Sequence, residues 1–259
     1  MSHSARWSDL APRVLSGLAM AVLGAVALWS GGWIFKGMIC VLAGLMTWEA
    51  ARMTGAKGAV GLGLLAGAAL ALALVLPGMA VVPVLAAAAL VGAGQAGRDS
   101  ALYAGFVLWV LLACYVIGVL MDEAGLGWIA WLVLVVVVSD VAGYFAGRML
   151  GGPKFWPRVS PKKTWSGTLA GWVGAGVIGL IFAEPLGAGS GLVVISMLVG
   201  FAGQMGDIVE SAVKRRTGVK DSSDLIPGHG GVLDRFDAML GAAIMVKLLW
   251  MLGLMPGLT

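Results

Sequence analysis

Residues Leu126 to Met149 read LGWIAWLVLVVVVSDVAGYFAGRM, an apolar run carrying one carboxylate near its end and closed by Arg148. The hydrocarbon core of a bilayer is about 30 Å thick and takes roughly 20 apolar residues of helix, so this stretch reads as a transmembrane span. Outward from it the pattern repeats, and spans are expected at 12–31, 33–54, 59–77, 79–96, 101–121, 126–149, 166–184, 190–213 and 237–257. The fold class is therefore all-α, a polytopic integral membrane protein with about nine transmembrane helices. The third and fourth spans carry the weakest signal, being rich in Ala and Gly and broken at Pro77-Gly78.

Composition agrees. Of 259 residues, 60% are hydrophobic and 12% charged, and the mean hydropathy is +0.97. A water-soluble chain is excluded on those values, and no separate soluble domain is expected. The N-terminal MSHSARWSDLAPRVLSGLAM has the basic start of a signal peptide, but its apolar run continues too far, so it is read as a retained first helix.

With the N-terminus in the cytoplasm, Arg6, Arg13, Arg52, Lys57, Arg98, the cluster Arg148 to Lys163 and the cluster Lys214 to Arg235 all fall on the cytoplasmic side. Only Lys36 and Lys247 of the 17 basic residues do not. Short-loop Lys/Arg bias fixes orientation, so the pI near 9.3 needs no nucleic-acid partner; the bases orient the chain and meet anionic membrane lipids. Cys40 and Cys114 both lie in apolar runs and read as packing residues. Gly occurs 41 times, often in small-xxx-small spacing such as Gly143 to Gly147, Gly147 to Gly151 and Gly167 to Gly171. Such faces let helices approach closely and suit a homodimer. Gly61-Leu-Gly63 imitates a dinucleotide fingerprint, but no strand precedes it.

Ionisable residues inside spans are functional hypotheses, and four acids qualify: Glu49, Asp140, Asp207 and Glu210. In GQMGDIVESAVKR, the residues Asp207, Glu210, Ser211 and Lys214 share one helical face by their i, i+3, i+4, i+7 spacing. A structural pairing of Lys214 with Asp207 or Glu210 is the plainer alternative. Asp140 must find a partner, a cation or water. Glu49 reads most simply as a partner of Arg52 or an interfacial group.

Two cytoplasmic loops carry the remaining polarity. In the first, Ser160-Pro161-Lys162-Lys163-Thr164 leads into the seventh helix. Ser before Pro signals a helix start, and a helix N-terminus with Lys162 and Lys163 in its first turn would seat a phosphate; topological positive charge is the alternative. The second is VKDSSDLIPGHGGVLDRFD, Val219 to Asp237, with six charged side chains and His229. Asp234 and Asp237 are three apart, on one face of an incoming helix, while Gly230 and Gly231 allow unusual dihedrals beside His229. Acids that hold hard cations such as Mg²⁺, beside bases that hold phosphates, are the parts of nucleotide chemistry.

The run Ser211-x-x-Lys214-Arg215, Lys220-Asp221 and Ile226-Pro227-Gly228-His229-Gly230-Gly231-x-x-Asp234-Arg235-x-Asp237 resembles the signature of the phosphatidate cytidylyltransferases, or CDP-diacylglycerol synthases. SDVAGYFAGR and SPKKTWSG upstream are similar to that family too, so the resemblance covers roughly the C-terminal half. It implies a membrane enzyme, in a bacterial inner membrane with its site facing the cytoplasm, that joins CTP and phosphatidate into CDP-diacylglycerol and pyrophosphate with Mg²⁺. The family's metal-ligand positions are Asp207 and Asp234 here, with Asp237 assisting and room for a second cation.

On this reading Lys162, Lys163, Lys214, Arg215, Lys220 and Arg235 hold phosphates, Ser160 opens the phosphate seat, and Ser211 hydrogen-bonds substrate or metal water. His229 either donates to a phosphate oxygen or locks the Gly-rich turn. Asp140, Glu210 and Asp221 are further polar candidates. Residues 1–125 would form the lipid cavity and oligomer scaffold, and residues 126–259 the catalytic region. An ion-coupled secondary transporter is the alternative, since intramembrane carboxylates and Gly-rich helices serve it too; it predicts related internal halves, and none is seen.

Overall fold

A computed structural model describes residues 10–258 of the chain, with side chains from residue 14 onward. Arg6 and the side chain of Arg13, used above for orientation, lie outside the described residues. The elements in order are α1 (Leu10–Ser30), α2 (Gly32–Met53), α3 (Ala59–Ala73), α4 (Gly78–Ala93), a 3₁₀ turn (Gly97–Asp99), α5 (Ser100–Ala124), α6 (Leu126–Leu150), β1 (Lys154–Trp156), β2 (Ser160–Thr164), α7 (Trp165–Ala183), α8 (Gly191–Thr217) and α9 (Leu233–Met251).

Among the described residues, five helical segments are long and apolar enough to cross a membrane: Gly32–Met53, Gly97–Ala124, Leu126–Leu150, Trp165–Ala183 and Gly191–Thr217. The weak third and fourth runs do form helices, but shorter ones, of 15 and 16 residues. Pro77 sets this limit: it is extended, at φ −57° and ψ 145°, as the N-cap of α4. A proline has no N–H to continue the helix before it, and it turns its predecessor away from helical dihedrals.

The chain forms two compact units, Met1–Gly118 with Arg216–Phe236, and Val119–Arg215 with Asp237–Thr259. Arg216–Phe236, most of the polar loop, thus belongs to the same unit as the N-terminal helices.

In the first unit, α2 and α3 meet through glycine. A Cβ on Gly63 would stand 2.7 Å from the Gly44 carbonyl oxygen, and one on Gly44 would stand 2.9 Å from that of Gly63. Gly63 is thus a packing residue, as the absence of a preceding strand implied. An apolar groove of about 480 Å³ lies along the same helices, lined among others by Cys40, Gly44, Trp48, Gly67 and Leu225.

In the second unit, α6 and α7 approach through Gly143, Gly147 and Gly167; a Cβ on Gly167 would be 2.6 Å from the Gly143 carbonyl oxygen. Gly171 is closed in by Gln204 and Ser139. The Gly147 to Gly151 spacing does not extend this face. Gly151 lies past the end of α6 at φ +61°, with nothing within 4 Å of a Cβ, and it ends the helix because only glycine takes that dihedral freely.

The Ser160 segment also departs from expectation. Ser160–Thr164 is a strand, paired antiparallel with β1 in the register Lys154↔Thr164 and Trp156↔Ser160. The helix starts at Trp165, and its N-cap is Thr164, whose Oγ1 accepts from the Gly167 N–H at 3.2 Å. Ser160 therefore caps nothing, and Lys162 and Lys163 precede the helix instead of forming its first turn. The reason is local: a threonine four residues on can cap, and pairing with β1 holds the intervening backbone extended. Thr164→Ala is expected to lower stability by about 1 kcal/mol, the usual worth of such a cap, with Ser160→Ala near neutral. Thermal unfolding in detergent distinguishes them, and equal effects would refute the assignment.

Candidate active site

The acids of the second unit converge. One oxygen each from Asp207, Glu210 and Asp237 lies within 4.8 Å of the others. Asp207 and Glu210 stand one turn apart on α8, and Asp237 comes from α9. Glycine makes this approach possible: a Cβ on Gly206 would be 2.3 Å from the Asp237 carbonyl oxygen, and one on Gly241 would be 2.3 Å from that of Ala202. The helix backbones touch where the carboxylates sit.

Two of the three carboxylates of the cluster are paired with lysines. Lys163 Nζ lies 2.6 Å from Asp207 Oδ2 and donates to the Gln204 carbonyl oxygen at 3.1 Å. Ser211 Oγ donates to Asp207 Oδ1 at 3.2 Å. Lys214 Nζ lies 2.5 Å from Oε2 of the fully buried Glu210, so the Glu210–Lys214 pairing weighed from the sequence exists. Asp140, open on the surface of α6, interacts electrostatically with Lys163 and Asp207. Asp237 Oδ1 accepts from the Ala238 N–H at 2.7 Å.

Asp207, Glu210, Ser211 and Lys214 do share a face of α8, and Lys163 turns to Asp207 while Lys162 is exposed. Arg215 is also exposed. Gln204, one turn before Asp207, was missed by sequence reasoning. Its Nε2 donates to the Thr168 carbonyl oxygen at 3.3 Å and its Oε1 accepts from Trp172 Nε1 at 3.2 Å. An amide inside VGFAGQMGD was the available signal.

In the first unit the polar loop folds on itself. Pro227 and Gly228, the latter at φ +73°, occupy the central positions of a turn in which His229 N–H donates to the Ile226 carbonyl oxygen at 2.9 Å. Proline followed by a positive-φ glycine is the type II pattern. Gly230 also has positive φ, at +80°, but Gly231 does not; it is glycine for space, since a Cβ there would be 1.9 Å from Ser222 Oγ and 2.4 Å from Glu49 Oε1.

Asp234 gathers this loop. Its Oδ2 accepts from Ser222 N–H at 2.9 Å, Ser222 Oγ at 2.9 Å and Gly231 N–H at 2.8 Å. Arg235 Nε donates to the His229 carbonyl oxygen at 3.0 Å. Lys220 and Asp221 are exposed.

His229 is anchored from α1. Ser16 Oγ donates to the Pro227 carbonyl oxygen at 3.0 Å and lies 2.8 Å from His229 Nδ1. A hydroxyl has one proton; with that proton on Pro227, Ser16 accepts from Nδ1–H, and Nε2 of the neutral ring is an acceptor.

Glu49 does not pair with Arg52, whose guanidinium stacks on Trp48 at 4.9 Å from the ring centre. Its carboxylate is fully buried, accepts from Ser223, Val232 and Leu233, and shares the Ser222 hydroxyl with Asp234.

Comparison with known proteins adds a family model, described as the cytidylyltransferase family, that matches residues 11–252. The chain is 47% identical over 129 residues to a phosphatidate cytidylyltransferase of Brucella suis, covering 49% of this chain and 48% of that protein. It is 43% identical over 123 residues to one of Bacillus subtilis, covering 46% of each. A Helicobacter pylori protein of the same name is 40% identical over 150 residues, covering 57% of this chain and 54% of that one. The matches thus span about half the length of these curated relatives.

Proposed function

The chain belongs to the cytidylyltransferase family, and from that premise we propose that it joins CTP to phosphatidate, giving CDP-diacylglycerol and pyrophosphate. The observation that carries the reading is the family match over residues 11–252, and the three-carboxylate cluster supplies chemistry consistent with it. We place the enzyme in a bacterial inner membrane with nine crossings, its N-terminus and polar loops cytoplasmic, where CTP and a lipid phosphate can meet.

Asp207, Glu210 and Asp237 form an all-oxygen donor set on two rigid helices, and this fits a hard cation such as Mg²⁺. These residues would hold it, and Asp207 among them is a position where the resemblance also implies a metal ligand. When bound, the cation supplies charge neutralisation of CTP phosphates and polarisation of the α-phosphorus.

The nucleophile is an oxygen of the phosphatidate phosphate, already anionic, so no strong general base is required. What the chain must do is hold two anions together in line. Lys163 lies against Asp207 and provides positive charge at the cluster; Lys162 and Arg215 of the same unit, and Lys220 of the first unit, are exposed, as groups that meet phosphates from solution would be. Lys214 compensates Glu210, and Ser211 orients Asp207. Arg235 and the Ser16 anchor fix the His229 turn, which supports the locking role for that histidine.

The apolar groove of the first unit supports a lipid role for the N-terminal helices, since Leu225 of the polar loop lines it. An acyl chain of phosphatidate seated there would bring its headgroup toward that loop. A homodimer remains a further proposal, resting on the glycine content.

The test is pyrophosphate release from CTP by the purified protein in mixed micelles. We expect release to require phosphatidate, to stop in excess EDTA and to return with added Mg²⁺. Release that ignores phosphatidate, or continues under chelation, would refute the substrate or the cation respectively.

A further inference from the structure

Glu49 belongs to no part of the signature and sits on α2, far back in the sequence from the loop it contacts. Its Oε1 accepts from Val232 N–H at 2.8 Å and Ser223 Oγ at 2.5 Å; its Oε2 accepts from Leu233 N–H at 2.7 Å and lies 3.2 Å from Ser222 Oγ. Leu233 is the first residue of α9, so this carboxylate caps that helix from another element and lies at its positive end.

A fully buried carboxylate is costly unless its charge is compensated, and among the described residues no cation pairs with Glu49. Here the N–H groups of Val232 and Leu233 and the Ser223 hydroxyl compensate it, with the Ser222 hydroxyl shared between it and Asp234, and the same groups fix both ends of the loop. Ser222 and Ser223 begin the segment and Val232 and Leu233 end it, so Glu49 closes the loop at its base. Ser222 links the two carboxylates, its hydroxyl lying 3.2 Å from Glu49 Oε2 and 2.9 Å from Asp234 Oδ2. Gly231 carries no side chain because the two groups nearest a Cβ there are Ser222 Oγ and Glu49 Oε1.

We propose that Glu49 is a positioning residue: it holds the loop from Ser222 to Leu233, and with it Asp234 and the start of α9, in the arrangement the reaction uses. This rests on the cytidylyl-transfer reading for its kinetic consequence, but not for its structural one. An amide in place of the carboxylate would point N–H groups at N–H and O–H donors, and the loop would populate other arrangements. Only the competent fraction would bind and turn over.

The experiment compares wild type, Glu49→Gln, Glu49→Asp and Ser223→Ala in detergent by hydrogen exchange of the peptides covering residues 219–236, without substrate, and by steady-state kinetics per folded enzyme. Exchange in the loop is expected to rise at least about tenfold in Glu49→Gln and about threefold in Ser223→Ala, with exchange in α6 and α7 unchanged. The kcat/KM for CTP is expected to fall at least tenfold in Glu49→Gln, with partial recovery in Glu49→Asp. A merely stabilising residue would reduce the yield of folded protein and leave KM and kcat per folded molecule as in wild type. Loop exchange equal to wild type in both Glu49→Gln and Ser223→Ala overturns the proposal, and so does loosened exchange with unchanged kinetics. If Glu49→Gln does not fold, Ser223→Ala decides by the same exchange criterion. Wild type without phosphatidate-dependent transfer would sink the activity reading, leaving exchange to decide whether Glu49 holds the loop.

Discussion

Asp207→Asn is expected to lower turnover at least about a thousandfold, roughly 4 kcal/mol of transition-state stabilisation at 1.36 kcal/mol per decade, in a protein that still folds. The carboxylate is one of three acids within 4.8 Å, and both of its oxygens are used: Oδ1 by Ser211 and Oδ2 by Lys163. An amide keeps the volume but removes the charge, and it turns an N–H group toward one of two donors. Lys163 then loses its counter-charge while keeping the Gln204 carbonyl oxygen. Because α8 is held by its apolar face and by Gly203 and Gly206 against α9, the helix should remain in place. The check is transfer rate at saturating Mg²⁺ beside thermal unfolding in the same detergent. Near-normal turnover would remove Asp207 from the site.

Gly206→Ala should be nearly as damaging by a different route. The new methyl would lie 2.3 Å from the Asp237 carbonyl oxygen and 3.1 Å from the Gly241 nitrogen; these are backbone atoms, which cannot swing aside as a side chain can. Overpacking of this kind costs about 1–3 kcal/mol, and the relief available is separation of α8 from α9. That separation moves Asp237 away from Asp207, so activity is expected to fall at least a hundredfold, with half-saturation by Mg²⁺ shifted upward. Gly105→Ala on α5, where nothing lies within 4 Å of a Cβ, is the matched control and should leave both unchanged. Equal behaviour of the two variants would show that the close helix approach does not set the acid cluster.

These two residues also show what the sequence could and could not tell. The i, i+3, i+4, i+7 spacing of Asp207, Glu210, Ser211 and Lys214 is a property of one helix, and one helix is what periodicity reports. The convergence of Asp237 on that face is a property of two, and its cause, Gly206 against the backbone of α9, resembles in sequence any of the other glycines. The Gly-rich turn beside His229 was readable because glycine's backbone freedom is local, but its positive φ values fall at Gly228 and Gly230 and not at Gly231. Thr164 was overlooked as a cap because Ser160-Pro161 gives the stronger local signal, and only pairing with β1 reveals that the residues between are extended. Glu49 was misread for a related reason. Arg52, three residues away on the same helix, offers a nearby charge, whereas its actual partners stand some 170 to 180 residues on, as backbone amides and hydroxyls that no sequence pattern marks.

The spans were legible to the extent that apolar length determines them. Among the described residues five helical segments meet that criterion, while α3 ends at Ala73 and α4 at Ala93, where the Ala and Gly content had already weakened the signal.

The most direct test of the account is transfer of label from CTP labelled in the cytosine into the lipid phase, with purified protein, phosphatidate in mixed micelles and Mg²⁺. The account predicts that label enters the organic phase only when phosphatidate is present, at a rate that Asp207→Asn abolishes. Label that stays in the aqueous phase across detergents and divalent ions, while the folded protein instead carries an ion flux in vesicles, would contradict it and favour a transporter.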